Sequence, residues 1–222
     1  MNSKLQIEDN IEFWNEFYSH KHSEILLQSS FADFIYNKYI KGLNDEHKIL
    51  KIGDIGCGNL RDSLFFASKG NNVFAVDQSN VISPSDKIEM LNNSDAEDVF
   101  RTKQFKEDLD IIYMRWFLHS MPYEKAESVL ALSKNNITDN GLICIEVRSK
   151  YDSNLINISS FNEDDKSYTT THKRWLYSKN KLISICKKLN FEIILLEEGE
   201  FSPNINTETD NPLLIRAVLK SI

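Results

Sequence analysis

The chain has 222 residues, 41% of them hydrophobic and 27% charged, which is the balance of an ordinary globular protein within the size range of one domain. A formal net charge of -7 argues against a nucleic-acid backbone as the main partner, because neutralising phosphates needs a basic face. Cys57, Cys144 and Cys186 are too few and too scattered for a disulfide framework or a metal site, so a reducing cytoplasm and no metal are expected. The start Met1-Asn2-Ser3-Lys4 leads into no apolar signal region, and no apolar run is long enough to span a bilayer. A soluble, unprocessed chain is the expectation.

Apolar residues recur at helical spacing over Glu8–His20, through Ile11, Trp14, Phe17 and Tyr18, and again over Phe31–Ile40, through Phe34, Ile35 and Tyr39. Ser30 is placed to cap the second of these helices. A strand over 49–54 follows, then a helix over 60–69 ended by Gly70 and a strand over 73–77, with loops short enough for right-handed βαβ packing. Weaker patterns give a short strand at Lys87–Leu91 and a helix over Ala96–Gln104. The run Leu109–Met114 is apolar and β-prone, as in a central parallel strand buried on both faces. Pro122 opens a helix continuing through Glu124–Lys134, and Gly141 introduces a strand over Leu142–Val147. Residues 148–171 are polar and aperiodic, a length of loop that is usually functional or disordered. A helix over 173–189, a strand over 191–197 and a last strand at Leu213–Leu219 complete an alternating α/β order, the last two strands being suited to a hairpin.

The segment Ile49-Leu50-Lys51-Ile52-Gly53-Asp54-Ile55-Gly56-Cys57-Gly58-Asn59 reads as a strand entering a glycine turn. With Asp77 closing the next strand, it has the βαβ pattern of a nucleotide-binding unit. The glycines allow a sharp turn and close backbone approach, and an acid roughly 20 residues on can accept hydrogen bonds from both ribose hydroxyls. A dinucleotide enzyme would carry a third glycine for its pyrophosphate, which Gly56-Cys57-Gly58-Asn59-Leu60-Arg61 lacks.

Asp54-Ile55-Gly56-Cys57-Gly58, Val76-Asp77, Ser94-Asp95-Ala96-Glu97-Asp98 and Leu109-Asp110-Ile111-Ile112 together resemble the class I S-adenosylmethionine-dependent methyltransferases. That resemblance implies a Rossmann-like α/β fold with a seven-stranded, mostly parallel sheet, an antiparallel last strand and N-terminal helices. It also implies S-adenosyl-L-methionine as cofactor and S-adenosyl-L-homocysteine as product. Asp54, Gly56, Cys57 and Gly58 would lie beside the methionine part, Asp77 would hold the ribose with Gln78 next to it, and Asp95 and Ala96 would face adenine. Asp95 is equally readable as a helix cap. Arg115 falls at the junction of cofactor and acceptor, unless it pairs internally with Glu146.

A narrower similarity runs through Cys57–Ser63, Arg115–Ser120, Glu146–Asp152, His172–Trp175 and the segments Phe13-Trp14 and Ser30-Phe31-Ala32. These resemble a bacterial methyltransferase subgroup linked to surface polysaccharides and O-methyl phosphoramidate on capsules. Leu60 stands where that subgroup usually has glycine, so the turn is expected to avoid a positive φ there.

In an open α/β sheet, ligands bind beyond the carboxyl ends of the strands. Arg115, His119, Arg148 and Lys150 follow strands, while His172 and Arg174 flank the polar loop and Tyr168 lies within it. Those cations would suit a phosphoryl or carboxylate group. His119, His172 and Arg148 are the catalytic candidates, and Arg115, Lys150, Arg174 and Tyr168 the acceptor-binding ones. A histidine would serve as base for an alcohol acceptor, whereas an oxyanion would need only binding and orientation. His119 is otherwise a satisfied core residue and His172 a solvated one. His20 and His22 point to a metal only weakly. In this scheme residues 1–45 form a helical cap, 46–222 the core, and 148–172 a lid or acceptor loop. The expected protein is a cytoplasmic O-methyltransferase for a small or glycan-linked anionic acceptor, with no nucleic acid, no membrane span and no stated oligomeric state. Its rivals are a small-molecule or metalloid-detoxifying methyltransferase and a non-catalytic cofactor-binding scaffold.

Overall fold

The computed structural model describes residues 10–18, 27–79, 88–91, 93–105, 108–201 and 211–222. Helix α1 covers residues 10–18. Helix α2 (Ser30–Ile35) runs through a π-helical turn at Tyr36–Ile40 into α3 (Lys41–Asp45). Then come β1 (Lys51–Ile55), α4 (Arg61–Ser68), β2 (Asn72–Val76), β3 (Ile88–Leu91), α5 (Ala96–Arg101) and β4 (Leu109–Arg115). A short 3-10 turn at Leu118–Ser120 leads to α6 (Tyr123–Ser133) and β5 (Ile137–Arg148). The chain continues through α7 (Ser153–Ile156), β6 (Ser160–Phe161), β7 (Tyr168–Thr169) and β8 (Lys173–Arg174) to α8 (Lys179–Leu189), β9 (Phe191–Glu200) and β10 (Leu213–Ser221).

The main sheet has the order β3-β2-β1-β4-β5-β10-β9. Strands β1 to β5 are parallel neighbours, and β10 is antiparallel to both β5 and β9. This is the expected Rossmann-like sheet with its antiparallel last strand, and the closing hairpin is present. Side chains alternate across the central strands, building two cores. Ile52, Ile111, Tyr113 and Cys144 pack against Phe31, Ala32 and Ile35 of α2 and Phe66 of α4. On the other face Ile55, Ile112, Met114 and Ile145 meet Val99, Val129, Leu130 and Leu182 from α5, α6 and α8. Two covered faces explain why Leu109–Met114 is nearly all apolar. Among the described residues, no helix is long and apolar enough to cross a membrane.

Several boundaries differ from expectation for local reasons. The cap of α2 is Ser29, whose extended backbone lets its hydroxyl accept from the Ala32 amide at 3.1 Å; Ser30 instead accepts from Arg216. Strand β5 begins before Gly141, where an added Cβ would run into Ile137 and lie 3.0 Å from the Asp110 carbonyl. The helix expected from residue 173 begins at Lys179, capped by the Ser178 hydroxyl. Before it, Trp175, Leu176 and Tyr177 are buried, with the Trp175 amide donating to the His119 carbonyl at 2.8 Å. The polar stretch after Arg148 folds into α7 and a small antiparallel sheet, β6-β7-β8. His20, His22 and Lys87 lie outside the described residues.

Candidate functional site

A cavity of about 520 Å3 opens at the carboxyl ends of β1, β2 and β4 and runs beneath α1. One end is lined by Asp54, Gly56, Cys57, Gly58, Asp77, Gln78, Asp95 and Ala96. There the Gly56 and Cys57 amides donate to the Val76 carbonyl at 2.8 and 3.1 Å, joining the ends of β1 and β2. Gly56 and Gly58 take φ of 76° and 53°. A Cβ at Gly56 would stand 2.5 Å from Phe117, and one at Gly58 would strike the Tyr18 ring, so both sites demand glycine by conformation and by space. The Gly58 amide donates to Asp77 at 2.9 Å and the Ser79 amide at 2.8 Å, fixing that carboxylate at the mouth of the turn.

Leu60 does not avoid a positive φ. It sits in the left-handed region at φ 65° and ψ 10°, immediately before α4. Its side chain is buried in the core shared with Phe66 and Cys57. A left-handed non-glycine residue costs roughly 1–2 kcal/mol, and burying a leucine returns about 1.5–3 kcal/mol, so packing outweighs the strain.

Burial, then the neighbouring Asp62 charge, pushes the Asp54 carboxyl up to about 7, with the Ser63 hydroxyl bond of 2.5 Å pulling the other way. Asp77 is also raised by burial, opposed by its bonds to the Ser79 and Gly58 amides. Asp95 caps α5 by accepting from the Glu97 amide at 2.7 Å, and its other oxygen meets Lys125 at 2.5 Å and the Gln78 amide group. It lines the cavity in that role, with Ala96 beside it.

Arg115, Trp116, His119, Arg148, Thr171, His172 and Arg174 form the other end. Arg115 pairs with Glu146 at 3.4 Å, as the internal alternative requires, and still faces the cavity with its guanidinium 4.5 Å from the Trp116 ring centre. Glu146 is shared with Arg216 of β10 at 2.8 Å, a buried pair whose arginine reaches Ser30 at 3.0 Å. Arg148 pairs with Asp152 at 3.4 Å, and Arg174 donates to the Thr170 hydroxyl at 2.8 Å. His119 is buried, and its Nδ1 accepts the Arg148 amide hydrogen at 3.0 Å. Burial and then Arg174, Arg148, His172 and Arg115 hold it well below the usual imidazole range. His172 packs 4.2 Å from the Phe13 ring and 4.9 Å from Trp14; burial, Arg174 and Arg148 push it down to about 3. Both rings are therefore neutral near pH 7.

Lys150 and Tyr168 do not line the cavity. The Lys150 amide is tied to the Tyr177 carbonyl at 2.6 Å and its exposed side chain lies over Tyr151. Tyr168 pairs across β7 and β8 and packs on Phe161 at 4.8 Å. Phe31 is core, stacked on Tyr113.

Three further residues shape the site. Asn10 is buried and donates to the carbonyls of Ser120 and Lys173 at 3.0 and 3.2 Å while accepting from the Lys173 amide, so it clamps α1 to the cationic end. Tyr18, at the far end of α1, meets Gly58, and burial followed by the Asp77 charge raises its hydroxyl pKa. Trp116 leaves β4 with φ 55°, and its indole ring lies between Arg115 and Arg148. An asparagine in a helical run carries no such signal, and a positive φ at tryptophan is not readable from residue type.

The sheet order, the antiparallel β10 and the glycine turn over a carboxylate-lined cavity define the fold of the class I S-adenosylmethionine-dependent methyltransferases. No protein-family model and no curated protein matches the sequence. Among solved structures, the chain is similar to the 1,6-didemethyltoxoflavin-N1-methyltransferase of Burkholderia thailandensis with bound 1,6-didemethyltoxoflavin and S-adenosylhomocysteine. The TM-score is 0.66 at 12% identity, over 97% of this chain and 87% of that one. A S-adenosylmethionine-dependent methyltransferase from Anabaena variabilis gives 0.64 at 18% identity, over 97% and 95%. The magnesium protoporphyrin IX methyltransferase of Synechocystis, with S-adenosylhomocysteine bound, gives 0.64 at 10%, over 96% and 98%. At these identities the likeness is one of fold.

Proposed function

We propose that this protein is an S-adenosylmethionine-dependent O-methyltransferase for a small or glycan-linked anionic acceptor. The observation that carries the reading is a single cavity with a glycine turn and carboxylates at one end and arginines at the other. At the first end, Asp77 has a position suited to paired ribose hydroxyls, and the backbone at Gly56 and Gly58 is open to close approach. Ala96, beside the cap of α5, is suited to the adenine. The bound cofactor would supply an electrophilic methyl group on a sulfonium. This chain's residues would bind it, orient the acceptor and exclude water, for which α1 and residues 171–174 supply the cover. Arg148 and Arg174 suit paired oxygens, and the resemblance to the surface-polysaccharide subgroup makes a phosphoryl or phosphoramidate oxygen the more specific choice. In this reading residues 1–222 act as one catalytic unit, with the N-terminal helices as its cap. Its three cysteines are buried free thiols, in keeping with a reducing cytoplasm.

Calorimetric titration with S-adenosylmethionine and S-adenosylhomocysteine tests the reading. Saturable binding of both is expected, and binding of neither overturns it in favour of a scaffold.

A further inference from the structure

His119 is only 2% exposed, yet it lines the cavity. A backbone amide can only donate, so the 3.0 Å contact from the Arg148 amide requires a lone pair on Nδ1. The neutral ring then carries its hydrogen on Nε2. Among the described residues the buried indole N–H of Trp116 meets no hydrogen-bond partner, and its ring centre lies 6.3 Å from that of the same imidazole; the hydrogen bond His119 makes through its ring is the one at Nδ1. The groups around the ring are Arg115, Arg148, His172 and Arg174, and they disfavour adding a proton to it. Nδ1, the one nitrogen with a lone pair, is already committed to the backbone.

We infer that His119 is a fixed hydrogen-bond donor, not a proton acceptor, and that the acceptor substrate is a small organic oxyanion, a phosphoryl or carboxylate group that attacks in its ionised form. The inference rests on the methyltransferase reading and specifies its acceptor. Its chemistry balances without a base. The oxyanion forms an O–C bond to the methyl carbon as the C–S bond breaks with its electron pair going to sulfur, and no proton is released. An alcohol would have to shed a proton; no lone pair on His119 is available to take it, and His172, pushed down to about 3 by burial, Arg174 and Arg148, is a poor base. Arg148 and Arg174 supply the charge, and Nε2–H of His119 the direction.

The test uses protein saturated with S-adenosylhomocysteine, titrated calorimetrically with benzoate, phenylphosphonate and benzyl alcohol. At least one anion should bind tenfold or more tighter than the alcohol, and the tighter anion separates a carboxylate from a phosphoryl acceptor. His119→Asn keeps an acceptor near the Nδ1 position and removes the donor; it should weaken the anion on the order of 10- to 100-fold while leaving S-adenosylhomocysteine binding unchanged. His119→Gln restores a donor near Nε2 and should recover binding to within a few-fold. If His119→Asn does not fold, His119→Gln and Arg174→Gln decide, the first retaining and the second losing anion affinity. Equal binding of alcohol and anions, no detectable anion binding, or indifference to His119→Asn overturns the inference and leaves the methyltransferase reading standing. Failure to bind S-adenosylhomocysteine, seen before any acceptor is added, overturns that reading and this inference with it.

Discussion

The two ends of the cavity solve opposite electrostatic problems with different materials. The carboxylate end uses main-chain amides at Gly58, Ser79 and Glu97 to hold Asp77 and Asp95, so its geometry comes from the turn itself. The cationic end has no such turn. Arg115, Arg148 and Arg174 come from three separate places in the chain and are held by Glu146, Asp152 and Thr170. A backbone-built site tolerates side-chain change around it, whereas a site built from side chains depends on each supporting partner.

The largest effect should come at the partner beneath the cationic end. Glu146→Gln leaves Arg216 and Arg115 without their shared buried counter-charge and should cost about 3–5 kcal/mol of stability in urea denaturation. A cost under about 1 kcal/mol would mean that the cationic end does not depend on its support. Next, Asp77→Ala should lower S-adenosylhomocysteine affinity on the order of 100-fold by calorimetry, since two charge-assisted bonds to the ribose hydroxyls would be lost. Unchanged affinity would break the assignment of the two ends. Leu60→Gly removes the left-handed strain but also a buried side chain, and should destabilise by roughly 2 kcal/mol in net. A stabilised variant would show that the turn, not the core, governs that position.

The smallest effect is a pH dependence. Asp54 ionises at about 7, so cofactor affinity should weaken several-fold as pH falls from about 8 to about 6, because a protonated Asp54 no longer attracts a positively charged ligand. Asp54→Asn should flatten that profile. For folding the sign is reversed. The carboxyl is raised from 3.8 to about 7, so its contribution to stability is full below 3.8 and is lost as pH rises through about 7.

The contrast between the ends also explains what could be read in advance. Residues 51–77 hold strand, turn, helix, strand and carboxylate in one contiguous run, and each signal there is local: φ at the glycines, alternation in the strands, an acid at a strand end. Asp95 caps α5 and also lines the cavity, so the two placements open to it in the sequence are compatible. The cationic end depends on contacts such as Asn10 to Lys173, far apart in the chain, which leave no periodic trace. Lys150 and Tyr168 stand outside the cavity lining for the same reason. Proximity in sequence to Arg148 and His172 does not say which way the turn at Lys150 or the two-residue strand at Tyr168 presents its side chain. Trp175–Tyr177 looked helical because bulky apolar residues spaced near a helix start resemble one face of it, yet tertiary burial holds them extended.

The position of β10 bears on how the molecule assembles. Among the described strands, β9 pairs only with β10, which follows it in the chain. Without β10, β9 would have no strand partner, and Glu146 on β5 would keep Arg115 but lack Arg216. Strand β10 pairs with both β5 and β9 and supplies the second guanidinium. Pairing of β10 with β5 thus both completes the sheet and brings Arg216 to the charge beneath the cavity, and it is a contact of high sequence separation, of the kind that slows folding.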